Sequence, residues 1–518
     1  MKNLPLGIQT FEKIIEGNYL YVDKTKEIFS LLTDEGTYYF ISRPRRFGKS
    51  LLISTLKEIF SGNKELFKGL WIYDKIEWNK HPVIHLDFSG ISYESPEVLR
   101  KSLGNQMIDL LQNHNLPINP NKDYKDNFKE LLKKLAENGK VVILIDEYDK
   151  PLVEFIDKPE IALENRNILK SFYEVMKESD QYIKFVMLTG VSKFSRVSIF
   201  SGLNNLRDIT LSEKFSTLLG YTGEELKNYF SEYISKMAEK LKVTSDFLSE
   251  EIKQWYNGYS WDGKNFVYNP FSILYLLIEQ KISNYWFTSG TPTFLIKMIK
   301  EYNTNIIELE NYETTESLFE SYDIDRMNVQ SLLFQTGYLT IKKVKETSIR
   351  LRKYILSYPN LEVKESLLAH ILSGLTDKFS NESEIIVINL AEYLKENNID
   401  GFFEQFKAIF ASIPYDIFIK EREAYYHTII YLIMTLLGIH MKVEVHTNKG
   451  RIDGVIESGN HVYVMEFKLG EAQKAMDQIE AMNYHEKYLS SGKAISIIGV
   501  GFDTENRNIK NYLVKQIV

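Results

Sequence analysis

The sequence predicts an α/β protein with a parallel sheet covered by helices on both faces, then a mostly helical part, then a smaller α/β part. Three observations predict this architecture. Short apolar strand patterns alternate with helical patterns over the first 215 residues, mostly helical patterns follow, and strand patterns return near the end. Near-continuous apolar strands separated by helices are typical of a parallel sheet that is buried on both faces.

The expected strands of the first part are short and rich in β-branched or aromatic residues. They are Thr37–Ile41, Pro82–Phe88, Val141–Ile145 and Ile183–Thr189, with Leu206–Leu211 as a candidate fifth strand. The helices expected to separate them are Ser50–Ser61, Pro96–Asn113, Asn127–Asn138 and Ile161–Ser179.

The later parts have patterns of their own. Thr222, followed by two acids, is typical of a helix N-terminus, and helical patterns continue to about residue 340. Leu339–Val344 and Ile349–Tyr358 are expected to pair as strands. The end of the chain is expected to form a helix, a hairpin that turns at residues 459–460, another helix and a final strand.

Length and composition exclude several classes of protein. With 518 residues the chain is too long for one core, and 13% aromatic residues are too many for a disordered chain. The net charge of −7 gives no overall attraction to nucleic acid. The absence of cysteine excludes disulfides, thiolate zinc sites and cysteine nucleophiles. Since no signal-peptide core or membrane-length apolar run is present, we expect a soluble cytoplasmic protein.

The segment Phe40–Leu52, FISRPRRFGKSLL, ends like a loop that binds nucleotide phosphates. Such a loop follows a strand, surrounds phosphates with backbone amides, and supplies a lysine and a hydroxyl group for Mg²⁺. Lys49 is the candidate for the β- and γ-phosphates and Ser50 for the metal ion. Arg43 stands where the general pattern has glycine, so a basic turn before a helix is the alternative. The candidate nucleotide-contacting residues of the loop are Arg43, Pro44, Arg45, Arg46, Phe47, Gly48, Lys49, Ser50 and Leu51.

Two acids at the end of a hydrophobic strand provide the second half of this site. In VVILIDEYDKP, Asp146 is the candidate ligand for the Mg²⁺ that accompanies a nucleotide. Glu147 is the candidate base that polarises the attacking water. Strand-end acids also cap helices or face solvent. The two motifs together, in this order within a series of strands and helices, favour a site for ATP and Mg²⁺.

A second group of charged residues lies in GRIDGVIESGNHVYVMEFKLG. A two-residue turn at residues 459–460 places Asp453 opposite Glu466, and strand alternation puts Lys468 on the same face as Glu466. Facing carboxylates can bind Mg²⁺, and a lysine beside them can orient water or stabilise charge on phosphate. An amphipathic hairpin with a cross-strand ion pair is the alternative.

Several motifs closely resemble those of bacterial AAA-ATPase-like proteins that carry a C-terminal PD-(D/E)xK nuclease-like domain. The motifs are YVDKT (Tyr21–Thr25), RPRRFGKSLL (Arg43–Leu52), LIDEYDKPL (Leu144–Leu152), LTGVSKFS (Leu188–Ser195), FSGLNNLRDIT (Phe200–Thr210) and YNPFSIL (Tyr268–Leu274). The resemblance covers nearly the whole chain and is weakest between about residues 300 and 400. The arginine-rich loop is the usual form in that family.

This resemblance implies a fold class and a division into four parts. The fold is an α/β P-loop NTPase sheet with helices on both faces, a helical lid, and an α/β PD-(D/E)xK nuclease-like domain. The implied parts are an AAA-like ATPase core at 1–215, the lid at 216–340, a connector at 341–395 and the nuclease-like domain at 396–518.

The resemblance also implies roles for residues of the ATPase core. Thr189, at the end of the fourth strand, is implied as a polar sensor of the γ-phosphate. Lys193, Arg196 and Arg207 are candidates for the cation that stabilises transition-state charge, in the same chain or a neighbouring one. For each of these three, a solvated surface cation is the alternative.

In the nuclease-like domain the resemblance makes Asp453, Glu466 and Lys468 the core of a metal site for Mg²⁺ or Mn²⁺. Glu423 matches an additional acid on the first helix of that fold, with Glu421 as the alternative. Gln478 matches a polar position on the helix that follows the hairpin. Residues 441–518 contain ten Lys/Arg and ten Asp/Glu, so their total charge does not favour DNA binding.

The function expected from these features is ATP binding and hydrolysis, coupled to a metal-dependent nuclease-like domain that acts on nucleic acid. One alternative is a nucleotide-gated regulatory protein whose nuclease-like domain is inactive and serves as a binding module. Another is an ATP-dependent signalling switch with no nucleic-acid partner. No membrane partner is expected, and a homo-oligomer is compatible with the resemblance.

Overall fold

The computed structural model describes residues 1–517, except for 118, 120–121, 194–202, 204, 287–294, 296–297, 300–303, 321–327, 377–379, 413–421, 441, 449–450 and 504. The side chains at 380–381, 383, 422–427, 439–440, 442–448 and 451–453 are also outside this description. The chain divides into two compact units. One contains Met1–Thr288 and Leu309–Glu362, and the other contains Ser289–Glu308 and Val363–Val518.

The first unit is built around a five-stranded parallel sheet with the order β2-β3-β4-β1-β5. Its strands are β1 (Tyr38–Ser42), β2 (Val83–Asp87), β3 (Val141–Asp146), β4 (Ile183–Gly190) and β5 (Leu206–Asp208). Ile41 lies level with Thr189, and Asp87 lies level with Asp146. Since β4 lies between β1 and β3, the loop after β1 and the acids after β3 face the same carboxyl edge from two sides of β4.

Helices cover this sheet, as the sequence predicts. They are α1 (Phe11–Glu16), α2 (Thr25–Leu32), α3 (Lys49–Phe60), α4 (Pro96–Asn113), α5 (Tyr124–Leu135), α6 (Lys150–Val153) and α7 (Pro159–Glu178). Every apolar residue of β3 is fully buried, which a strand requires when both faces of its sheet are covered. The predicted strands and helices are all observed to within a few residues, whereas α1, α2 and α6 were not predicted.

A helical part follows in the same unit. It contains α8 (Gly223–Leu241), α9 (Ser245–Tyr256) and α10 (Pro270–Glu279), together with the short pair β6 (Tyr221–Thr222) and β7 (Val267–Tyr268). Thr222 and Glu225 form a reciprocal capping box that fixes the start of α8. The apolar sides of these helices share one core, which includes Phe230, Ile252 and Ile273.

A small antiparallel sheet completes the first unit. Its strands are β8 (Tyr312–Thr314), β9 (Thr340–Glu346) and β10 (Arg352–Ser357), and α11 (Ser317–Glu320) and α12 (Val329–Thr336) lie between β8 and β9 in sequence. The pairing of β9 with β10 confirms the predicted hairpin. The sequence did not predict β8, which has only three residues.

The second unit combines helices with a mixed sheet. Its elements are α13 (Leu361–Thr376, which begins in the first unit), α14 (Ser380–Lys395), α15 (Ile399–Ala411), α16 (Arg422–His440), β11 (Lys442–Asn448), β12 (Arg451–Ser458), β13 (His461–Leu469), α17 (Ala472–Met482), β14 (Ala494–Asp503) and β15 (Asn508–Gln516). The sheet order is β11-β12-β13-β14-β15, and only the β13–β14 pair is parallel.

The hairpin of β12 and β13 has the predicted register. Ser458 pairs with His461, so Asp453 lies opposite Glu466. Gly459 has a φ of +55°, the left-handed conformation that a two-residue hairpin turn requires. Among the helices in the described ranges, none is both long and apolar enough to span a membrane.

Candidate functional site

The loop between β1 and α3 forms the centre of the candidate site. Gly48 has a φ of +91° and caps the first turn of α3, a conformation that glycine adopts without strain. The helix therefore begins at Lys49 with its free backbone amides directed toward the loop, and such amides attract anions. Ser50 follows in the first helical turn and is partly exposed. Leu51 is half-buried, and its carbonyl group accepts a hydrogen bond from the Thr55 hydroxyl group.

Lys49 is held inside this loop. Its Nζ atom donates to the carbonyl oxygens of Arg43 at 2.8 Å and Pro44 at 2.9 Å, and the side chain is only 5% exposed. Burial lowers the pKa of Lys49, while the charge of Asp146 opposes this change. A phosphate group can take the place of the two carbonyl oxygens as the partner of this ammonium group.

Arg43 is a structural part of the loop. Its side chain is fully buried, and its guanidinium group lies 3.9 Å from the centre of the Trp261 ring. The same group donates to the carbonyl oxygens of Ser42 at 2.8 Å and Thr210 at 2.9 Å, and more weakly to that of Phe215 at 3.4 Å. Burial lowers the pKa of Arg43 to about 9, so it stays charged near neutral pH. These contacts leave its guanidinium group facing the protein interior.

Other loop residues pack against the helical part and the segment that follows it. Arg46, with a φ of +70°, lies over the ring of Phe271 at 3.6 Å from its centre. Pro44 contacts Gly337, where an added side-chain carbon would lie only 2.6 Å from Pro44 Cγ. The buried ring of Phe47 meets those of Tyr259 and Trp261 at 4.8 and 5.4 Å between centres. Arg45, in contrast, is exposed.

The acids after β3 lie at the same edge of the sheet. Asp146 is buried, and its Oδ1 atom accepts hydrogen bonds from the Thr189 hydroxyl group at 2.5 Å and from the Glu147 amide at 3.1 Å. The second carboxylate oxygen of Asp146 and the Ser50 hydroxyl group are hard oxygen donors of the kind that Mg²⁺ prefers, so these two residues could hold such an ion. Glu147 is half-buried, has a φ of +51° and forms an ion pair with Lys150 at 3.5 Å.

Asp149 is a site residue that the sequence reasoning missed. Its carboxylate accepts hydrogen bonds from the amides of Ser192 at 2.6 Å and Val191 at 3.1 Å, directly after the strand that ends near Thr189. Burial raises the pKa of Asp149 to about 6. Asp149 is the last acid of the motif DEYD, so the sequence did contain a signal. The amides that Asp149 binds lie more than forty residues away along the chain.

The three candidate cations have different surroundings. Lys193 forms an ion pair with Asp208 at 2.7 Å. Arg207 lies level with Tyr39, near the start of β1, and forms an ion pair with Asp34 there, away from the carboxyl edge of the sheet. Arg196 lies outside the described residues.

The second unit contains the predicted C-terminal group. Glu466 is fully buried, and its Oε1 atom lies 3.2 Å from Nζ of Lys468, which is 20% exposed. The side chains of Asp453 and Glu423, and all of Glu421, lie outside the described part of the chain, although the backbone of β12 places Asp453 opposite Glu466. Gln478 is partly buried on α17. Among the described side chains, no group of three His, Asp or Glu is placed to hold a metal ion.

Two family models match the chain. Residues 5–200 match the model described as "Predicted AAA-ATPase", and residues 421–512 match the "PD-(D/E)XK nuclease superfamily". The first range contains the loop and the acids after β3. The second contains the hairpin with Asp453, Glu466 and Lys468.

A relative and a solved structure show further similarity. The "Uncharacterized protein in vnfD 5′ region" of Azotobacter chroococcum mcd 1 is 39% identical over 533 residues, covering 100% of this chain and 99% of the relative. The structure of the Aeropyrum pernix ORC1 protein in complex with DNA aligns with 69% of this chain and 95% of its own, at 10% identity and a TM-score of 0.26. That degree of structural likeness says nothing about function. From the two family models and the full-length relative, the chain belongs to the family of predicted AAA-ATPases with a C-terminal domain of the PD-(D/E)XK nuclease superfamily.

Proposed function

We propose that the first unit binds ATP together with Mg²⁺ and hydrolyses it. The observation that supports this best is the meeting of two motifs, about one hundred residues apart in sequence, at one edge of the sheet. Lys49 and the N-terminus of α3 follow β1 on one side of β4, and Asp146 ends β3 on the other side, where it accepts a hydrogen bond from Thr189 of β4. A polyphosphate bound at this edge would have the cationic and amide groups on one side and the acid on the other.

Each residue then has a chemical task. Lys49 exchanges the carbonyl groups of Arg43 and Pro44 for the β- and γ-phosphates. Ser50 and Asp146 would hold Mg²⁺, which when bound neutralises phosphate charge. Glu147 takes a proton from the attacking water, and Thr189 positions Asp146 through its hydroxyl group.

Titration calorimetry with ATP and Mg²⁺ tests the binding site. Lys49→Ala should reduce affinity by at least about tenfold, because a buried ammonium group that contacts two phosphates is lost. Lys57→Ala is the matched control, since Lys57 lies on the same helix and its side chain is 50% exposed. If the wild-type protein binds neither ATP nor GTP, the proposed function is wrong.

For the second unit we propose a divalent-metal site that supports cleavage of nucleic acid. The support is membership of the nuclease superfamily together with a fully buried Glu466 beside Lys468. A buried carboxylate is costly to ionise, and a metal ion is one of the few partners that compensate this cost. The register that sets Asp453 opposite Glu466 provides a second acid at the same place along the hairpin.

Metal binding and cleavage can be measured separately in the 518-residue chain. Glu466→Gln should abolish Mn²⁺ binding at this site and any cleavage of DNA or RNA, whereas Lys468→Ala should preserve metal binding and stop cleavage. Glu471→Gln is the control, because Glu471 is exposed in the same unit. If the wild-type protein binds nucleic acid but cleaves neither DNA nor RNA with any divalent metal, the alternative of an inactive binding module is favoured.

A further inference from the structure

The proposed hydrolysis needs a cation besides Lys49, and the loop itself contains three arginines. During phosphoryl transfer, negative charge spreads over the terminal phosphate, and an arginine that stabilises it accelerates the reaction by about 10³–10⁵. The question is which arginine of this chain can reach that phosphate. This inference rests on the proposed ATPase function.

The guanidinium groups of two of the three loop arginines already contact other parts of the first unit. The guanidinium group of Arg43 is buried between Trp261 and backbone carbonyl groups. That of Arg46 is stacked on Phe271. Moving either group to a phosphate would break these contacts, so both are better suited to fixing the shape of the loop.

The side chain of Arg45 has different surroundings. The side chain is exposed, while the backbone on both sides is anchored by Pro44 against Gly337 and by Arg46 on Phe271. The carbonyl oxygen of Arg45 also accepts a long hydrogen bond of 3.5 Å from Nδ2 of Asn269, a buried residue that caps α10. The loop therefore holds the backbone of Arg45 in place and leaves its side chain accessible to a ligand.

Arg45 lies beside the ammonium group of Lys49 along the loop. The Nζ atom of Lys49 donates to the carbonyl oxygen of Pro44 at 2.9 Å, and this carbonyl group belongs to the peptide bond that joins Pro44 to Arg45. Because Lys49 is proposed to reach the β- and γ-phosphates from this position, Arg45 is placed for the same end of the nucleotide.

The two described cations that the sequence suggested for this role are less well placed. Arg207 lies near the start of β1, where it pairs with Asp34, and Lys193 is paired with Asp208. A role for Arg207 therefore requires a neighbouring copy of the chain, whereas Arg45 belongs to the same loop as Lys49.

We propose that Arg45 is a catalytic residue that contacts the terminal phosphate and stabilises its transition-state charge within the same chain. Water attacks the γ-phosphorus and loses a proton to Glu147. The bond from the γ-phosphorus to the β–γ bridging oxygen breaks, and ADP leaves with that electron pair. The added negative charge on the phosphate oxygens lies between Lys49 and Arg45.

The test compares Arg45→Ala and Arg45→Lys with the wild-type protein in steady-state ATP hydrolysis and in calorimetric binding of ATP and ADP. We expect Arg45→Ala to lower kcat by about 10²-fold or more and to weaken ATP more than ADP, because only ATP carries the γ-phosphate. Arg45→Lys should restore part of the ATP affinity. Arg100→Ala, an exposed arginine on α4, is the control that should behave as wild type.

Two outcomes would overturn the proposal and can be told apart. If the wild-type protein hydrolyses ATP and Arg45→Ala matches it in kcat and in its preference for ATP over ADP, the assignment of Arg45 is wrong and the proposed ATPase function stands. If the wild-type protein itself binds no ATP, both fail together. Since Arg45 is exposed, its variants should melt at the wild-type temperature, so lost activity cannot be attributed to unfolding.

Discussion

At the scale of single residues, the loop shows how an arginine replaces a glycine. A phosphate loop commonly opens with glycine because the backbone needs freedom there. Here Arg43 instead ties the start of the loop to Thr210, Phe215 and Trp261. Glycine is retained only at Gly48, where the φ of +91° requires it.

Arg43 is therefore expected to contribute to stability. Arg43→Ala would leave buried carbonyl groups without a donor and a cavity beside Trp261, so we expect a loss of about 3 kcal/mol or more in unfolding free energy. Arg43→Lys keeps the charge but loses the planar fork, and it should lie between alanine and wild type. Thermal unfolding measures this, with the exposed Arg45→Ala as control. An Arg43→Ala protein that melts at the wild-type temperature would contradict the assigned role.

The same residues show what the sequence could predict of the site. Lys49, Ser50, Asp146 and Glu147 belong to short motifs whose chemistry depends on their immediate neighbours, so the sequence was sufficient to propose them. The separate roles of Arg43, Arg45 and Arg46 were not predictable. The partners of Arg43 lie 167 and 172 residues further along the chain, and no local pattern specifies such contacts.

At the scale of elements, a buried carboxylate joins three segments of the first unit. Glu362, in the first turn of α13, accepts hydrogen bonds from Ser272 of α10 at 2.9 Å and from the amides of Tyr285 and Trp286 at 2.8 and 2.9 Å. Burial raises its pKa to about 7, and the charge of Arg46 on the loop opposes this. Glu362 thus connects α10, on which Arg46 of the loop is packed, to the segment of Tyr285 and Trp286.

This pKa predicts how stability changes with pH. In the unfolded chain Glu362 ionises near pH 4.5, whereas in the folded chain it keeps its proton until about pH 7. Between these two values the folded state binds more protons than the unfolded state. The free energy of unfolding should therefore fall as the pH rises through this window, by up to about 3 kcal/mol. Above this window the contribution of Glu362 should be constant.

Glu362→Gln isolates this effect, because glutamine resembles the protonated acid at every pH. Relative to wild type, the variant should gain unfolding free energy as the pH rises from about 4.5 to about 7. Urea unfolding followed by tryptophan fluorescence measures the difference, and Glu160→Gln, an exposed acid on α7, is the control. A difference between variant and wild type that does not change with pH would contradict the prediction.

Elements also differ in how far their sequence predicts them. The buried strands β1, β3 and β4 are almost entirely apolar and are bounded by helices, so they were evident. The strands β8, β11 and β15 were missed. Each lies at the edge of its sheet. Edge strands tolerate polar residues, so the apolar pattern that predicts a buried strand is weak in them. β15, for example, is exposed over most of its length.

At the scale of the whole molecule, the chain carries two candidate sites in two compact units. The residues proposed to bind ATP all belong to the first unit, and Glu466 and Lys468 belong to the second. The expected four-part division at 1–215, 216–340, 341–395 and 396–518 stays a prediction. The first compact unit contains the helical part and the small sheet and ends at Glu362.

If Lys49, Asp146 and Glu147 form a working ATPase site, phosphate release by Glu147→Gln should reveal it. The wild-type protein should release phosphate from ATP in the presence of Mg²⁺. Glu147→Gln should bind ATP with wild-type affinity in calorimetry and release phosphate at least about 10²-fold more slowly, because glutamine cannot accept the proton of the attacking water. A variant that hydrolyses ATP at the wild-type rate would show that Glu147 is not the base, and a wild-type protein that releases no phosphate would show that these residues do not form an ATPase site.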